Sequence, residues 1–392
     1  MADGTAAGIT PALRAEGAAP AAVKKASSSR DRFAFIDRFR GLVGIMMALG
    51  HSSGFFNGVW KSLHMFDPLF ADPGQFGLRY MGYLCAPGFL MMNGAVSWFS
   101  FTRRRGEGHS MWAAKWHLIE RGLFLILVQV TWVNASWIGF RRLNLPHLGI
   151  IATIGISMCL LALFINWRWY ARLAVALVVL AVHPLMLSIS YDSNVFWQRF
   201  VMQTFIDAGD WNKYPVLPWF ALGTLGSVMA TGWFSTWKTP KQRILWSCGI
   251  GLGAILLATA VRLGRGYGNT TVFDTFFSYS FFLDQKYPPN LFHNLWFFGS
   301  VCFMVGVIHL VGEIVPFTVR WLGTIGRVPL FFYCVHIAIL SIVADRFGVY
   351  YRQGAVIASF VGWVALLLVM YPLSKWFAGV KARSKNKIIQ LI

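Results

Sequence analysis

FHNLWFFGSVCFMVGVIHLVG, residues 292–312, runs for 21 positions without an aspartate, glutamate, lysine or arginine. As an α-helix rising about 1.5 Å per residue it is about 31 Å long, enough to cross the hydrocarbon core of a bilayer. It holds too few polar residues to present a solvated face, so lipid or surrounding protein must cover it. Similar runs begin near Phe35, Arg79, Leu118, Leu148, Ala171, Tyr214, Ile244, Pro329 and Ala355. The pattern predicts an all-α, polytopic integral membrane protein with about ten transmembrane helices.

Composition agrees: 56% of residues are hydrophobic and 13% charged, too few charges for an ordinary water-soluble surface. The apolar runs follow one another without a break in character, so residues 35–377 read as one transmembrane domain. Residues 1–34, rich in Ala, Gly and Ser, read as a disordered cytoplasmic tail, and 378–392 as a basic cytoplasmic C-terminal tail.

The net charge of +20 has the size of a nucleic-acid signal, but the cations sit at the ends of apolar runs and in the tails, with no recognition motif. Their placement is that of topology determinants facing membrane lipids, and no nucleic-acid partner is expected. With both termini in the cytoplasm, 24 of the 35 Lys and Arg residues fall on the inner side. The five cysteines lie inside apolar runs with no CxxC, and read as small buried hydrophobes.

Chemistry is expected from polar residues inside these runs, because ionisable groups in a span are costly and commonly serve a cavity or a partner. Arg40, Gly44, Met47 and His51 share one helix face, with His51 about 16 Å further outward than Arg40. Asp37 lies near the same inner end. His64 follows in the first outer loop, thirteen residues after His51. That spacing raises a haem, but His64 falls outside the expected span and no second helix offers a matching pair, so neither haem nor metal is expected. Further candidates are Asn93 in Met92-Asn93-Gly94, Lys286 and Tyr287 ahead of Pro288-Pro289, and His336, which shares a face with Pro329, Tyr333 and Leu340. No phosphate-binding glycine loop, HExxH or nucleophile elbow is present.

The stretch Asp37-Arg38-Phe39-Arg40-Gly41 with His51 eleven residues on resembles the opening of the heparan-α-glucosaminide N-acetyltransferase family, bacterial branch. So do Ala86-Pro87-Gly88-Phe89 to Gly94, Lys286-Tyr287-Pro288-Pro289, and Gly326-Arg327-Val328-Pro329-Leu330 with Tyr333 and His336 after it. The resemblance implies an inner-membrane acyltransferase that moves an acetyl or acyl group from cytoplasmic acetyl-CoA, or another acyl-CoA, to a periplasmic sugar or glycan. It also implies an outer-face histidine as base or acyl carrier. His51 matches the bacterial position, while His64 lies close to the place of the essential histidine in eukaryotic members. On this reading Asp37 and Arg40 assist at the inner end of the donor path. Asn93, Lys286, Tyr287 and His336 meet substrate, and Arg103, Arg104, Arg105, Arg121 and Arg327 meet the phosphates of CoA.

Two other readings of the sequence stand beside this one. One is a transporter or flippase of a small polar or lipid-linked substrate, and the other a non-catalytic subunit of a larger membrane complex. Assembly as a homo-oligomer is open.

Overall fold

The computed structural model describes residues 33–60, 72–141 and 147–392. It divides the chain into two units, Met1–Phe33 and Ala34–Ile392. The expectations for His64 and for most of the N-terminal tail lie outside the described residues.

The chain is helical, and the described residues hold isolated bridges but no strand. Among them are α1 (Ala34–Phe56), α2 (Pro73–Gly106), α3 (Met111–Val128), α4 (Asn134–Trp137), α5 (Ile150–Phe164) and α6 (Trp169–Met186). There follow α7 (Phe196–Phe205), α8 (Val216–Thr231), α9 (Pro240–Leu263), α10 (Tyr279–Phe282) and α11 (Leu291–Ile314). The last are α12 (Pro316–Arg320), α13 (Leu322–Gly326), α14 (Pro329–Leu340), α15 (Val356–Arg383) and α16 (Lys387–Leu391). Among the described residues seven helical stretches are long and apolar enough to cross a membrane. The other three predicted runs are also helical but shorter or more polar: α1, with its ionisable residues, α5 at 15 residues and α8 at 16.

Local chemistry sets several helix ends. Asp72 caps α2 by accepting from Gln75 N at 2.8 Å, Pro73 fits the first turn where no N–H is needed, and Arg103 to Arg105 oppose the negative C-terminal end. Thr239 and Gln242 form a capping box on α9, and Asn290 caps α11 by accepting from His293 N at 2.9 Å.

Burial separates inner helices from outer ones. Of the spanning window of α2, 72% is buried, and of α11 67%, against 17% for α9 and α15. The outer helices turn Leu252, Leu256 and Leu368 outward, as lipid-facing residues do. α1 packs against α2, α11, α13, α14 and α15, so protein surrounds it and its ionisable side chains face neighbours instead of lipid. Contact between helices is close at glycines. A Cβ on Gly94 would overlap the Gly223 carbonyl, and one on Gly226 the Met91 carbonyl, so α2 and α8 touch backbone to backbone. Gly41 and Gly326 allow the same approach between α1 and α13.

Candidate functional site

A cavity of about 730 Å³ lies between α1, α2, α3 and α5. Its wall follows helical spacing, with Arg40, Met47 and His51 on α1 and Arg79, Tyr83, Ala86, Phe89 and Asn93 on α2. Because α1 and α2 run antiparallel, Arg40 marks one end and Arg79, which donates to Trp60 O at 2.7 Å, the other. Arg121 and Lys381 stand near Arg40, and Lys213 and Lys286 line the end near Arg79. Among the described residues the wall holds six Lys and Arg side chains and no Asp or Glu. Such a wall favours an anionic occupant.

His51 is part of a histidine pair. Its Nδ1 is 2.8 Å from His336 Nε2, and the rings stack at 5.0 Å between centroids with 6° between planes. His336 Nδ1 is 2.7 Å from the Phe332 carbonyl oxygen, which can only accept, so this nitrogen carries the proton. In the neutral pair His336 Nε2 then has a lone pair and accepts from His51 Nδ1–H. The proton assignment follows from the network and leaves His51 Nε2 as an unprotonated nitrogen on a residue that lines the cavity. Trp137 and Tyr333 meet the His51 ring edge-on at 5.1 and 6.1 Å, which fixes its plane.

On the same side of the cavity as His51, the side near Arg79, Lys286 Nζ donates to the Gly82 carbonyl at 2.9 Å and lies 5.0 Å above the Tyr83 ring and 5.2 Å above that of Tyr287. The Tyr287 and Tyr214 hydroxyls are 2.9 Å apart. Tyr214 is on the loop ahead of α8, and its phenol, neutral near pH 7, can act as a hydrogen-bond donor.

The structure brings together Arg40, His51, Asn93, Arg121, Lys286 and Tyr287, all on the cavity wall. Asp37 is off the wall, 3.3 Å from Arg40. His336 is fully buried behind His51, where it contacts the imidazole and does not line the space a substrate would occupy. Arg103, Arg104, Arg105 and Arg327 are off the wall too. Arg103 pairs with Glu107 at 3.5 Å, Arg105 donates to His109 O at 2.6 Å, and Arg327 donates to Gly323 O at 3.1 Å. They are local helix-end contacts of a kind that any positive-inside residue can make.

Sequence reasoning missed Gln129, Asn134, Trp137, Tyr214 and Lys381. Gln129 and Asn134 are polar residues in an apolar run, but their spacing of five places them on different faces of a regular α-helix. A π-helical turn at Gln129–Val133 brings them together. Lys381 was counted in the basic tail, whereas α15 continues to Arg383 and carries it to the cavity. Among the described residues no group of three His, Cys, Asp or Glu is arranged to hold a metal.

Fold and site together define a multi-pass helical membrane protein whose interior carries a cation-lined cavity with an oriented histidine. The sequence pattern of the heparan-alpha-glucosaminide N-acetyltransferase catalytic family matches residues 32–257, more than half of the chain, and the chain belongs to that family. No curated protein matches it significantly. Membership makes it a transferase of the acetyltransferase kind, in a family whose members use acetyl-CoA as donor and a sugar as acceptor.

Proposed function

We propose that the protein is an inner-membrane acyltransferase that takes an acetyl or acyl group from cytoplasmic acyl-CoA and delivers it to a hydroxyl or amine of a periplasmic sugar or glycan. In this reading ten helices span the bilayer and both termini are cytoplasmic. The observation that carries it is the unprotonated Nε2 of His51 on the wall of a cavity with cations at both ends. Arg40, Arg121 and Lys381 meet the phosphates of the donor, and the pantetheine arm reaches toward His51 past Met47 and Phe89. His51 takes the proton of the acceptor as it attacks the thioester, or carries the acyl group itself, and His336 holds the imidazole in the required tautomer. Lys286, Tyr287 and Asn93 orient the acceptor.

The test is radiolabelled acetyl-CoA added to purified protein in liposomes with glucosamine as acceptor, comparing wild type with His51→Ala. Label moves to glucosamine in the wild type, and the variant falls by at least about 100-fold, the scale of a lost general base. Equal transfer by both proteins, or none by the wild type, would overturn the proposal. A flippase would move its substrate without consuming a thioester.

A further inference from the structure

Gln129 and Asn134 are 2% and 6% exposed, yet both line the cavity. Their carboxamides are locked in one orientation by backbone groups that allow no alternative. Ile151 N–H donates to Gln129 Oε1 at 3.2 Å, which places the Gln129 nitrogen toward Asn134. Asn134 Nδ2 donates to the His147 carbonyl at 3.0 Å, which leaves Asn134 Oδ1 to accept from Gln129 Nε2 at 2.9 Å. Each NH₂ has two hydrogens, and each uses one of them in these bonds. Among the described residues, the pair therefore leaves one N–H of each carboxamide uncommitted, on side chains that line the cavity.

Their position relative to His51 follows from the helix that carries them. Asn134 opens α4, and Trp137, one turn or about 5 Å further on, rests its ring 5.1 Å from that of His51. α5 begins beside the same carboxamides, with Gly149, Ile150 and Ile151 on the cavity wall. A side chain at Gly149 would strike the Gln129 amide group, so the glycine lets the start of this 15-residue helix approach it closely. The positive end of the α5 dipole thus adds to the field of the two N–H groups.

Resting on the acyltransferase reading, we propose that the Gln129–Asn134 carboxamide pair, at the start of α5, binds the oxyanion formed during acyl transfer at His51. The acceptor lone pair forms a bond to the thioester carbonyl carbon, while the C=O π pair moves onto oxygen and His51 Nε2 takes the acceptor's proton. The alkoxide sits against the two N–H groups. It then re-forms C=O, the C–S bond breaks, and the leaving CoA thiolate takes the proton from the His51 imidazolium. Fixed donors aimed at charge that appears only in the transition state raise kcat without tightening the ground state.

The experiment measures transfer from acetyl-CoA to glucosamine by wild type, Asn134→Ala and Gln129→Met in liposomes, with thermal unfolding of each. The expected result is a loss of about 10² to 10³-fold in kcat, with KM for acetyl-CoA and the pH midpoint of kcat unchanged because His51 is intact. A fluorinated ketone analogue of acetyl-CoA, which becomes a tetrahedral alkoxide on taking up a nucleophile, provides a reading on the wild type that needs no variant. It should bind at least 10-fold more tightly than S-ethyl-CoA, which has no carbonyl. Variants that keep kcat, or a wild type that binds the two analogues equally, would overturn the oxyanion role while the acyltransferase reading stands. A wild type that transfers no acyl group at all removes both.

Discussion

At the scale of single residues, the chemistry of the site turns on which nitrogen of each ring carries a proton. The Phe332 carbonyl holds the His336 proton on Nδ1, and that choice propagates through the 2.8 Å contact to leave His51 Nε2 free. His336→Phe removes the acceptor for His51 Nδ1–H and releases the tautomer. Its kcat should drop about 10- to 100-fold with little change in KM, as measured in the liposome transfer assay. A loss in KM alone would make His336 a substrate contact. The sequence shows both histidines and their helix faces, but not that residues 285 positions apart share a hydrogen bond. Lys286 and Tyr287 were legible because two prolines follow them, whereas Tyr214, their partner across the gap, stands in a similar Lys213-Tyr214-Pro215 whose prolines read as the opening of an apolar run.

At the scale of elements, close approach and one buried ion pair hold the cavity open. Gly94 and Gly226 let α2 and α8 meet along their backbones, so Gly94→Ala should destabilise the fold by about 3 kcal/mol, the upper range for overpacking. Thermal unfolding in detergent would check this, and an unchanged midpoint would refute the close contact. Arg262, at the end of α9, meets Asp284 at 2.7 Å with both side chains fully buried, and Asp284 also accepts from Thr271 and Asn290. That network pins the loop bearing Lys286. Asp284→Ala leaves the guanidinium buried and unpaired at a cost of about 3–5 kcal/mol, read by chemical denaturation. A variant that stays folded should show weakened acceptor binding, because Lys286 and Tyr287 lose their anchor. Among the described residues three π-helical turns interrupt the helices, and one of them brings Gln129 and Asn134 onto the cavity wall. An apolar run conceals such a turn, since adding one residue per turn leaves composition and hydropathy unchanged.

At the scale of the whole molecule, the cavity carries cations toward both of its ends, Arg40, Arg121 and Lys381 at one and Arg79, Lys213 and Lys286 at the other. Arg121→Gln and Lys381→Gln each remove one charge from the wall near Arg40. Each should raise KM for acetyl-CoA about 10-fold with kcat nearly unchanged, as the loss of a charge-assisted contact does. Unaltered KM in both would place the donor elsewhere. Arg103 to Arg105, at the end of α2, looked from the sequence like equally good phosphate ligands, but none of them lines the cavity, and Arg103 and Arg105 bind locally. The amino-acid sequence by itself points to a bundle of membrane helices, because runs of some twenty apolar residues recur down the chain, each long enough to cross a bilayer, with too few charges between them for a water-soluble surface. It also marks α1 as unusual, through ionisable residues that lipid would reject. Only the tertiary structure decides which polar residues share a space, since that depends on the rotation and depth at which each helix packs. Hydropathy records how apolar a face is and carries no information about what it touches.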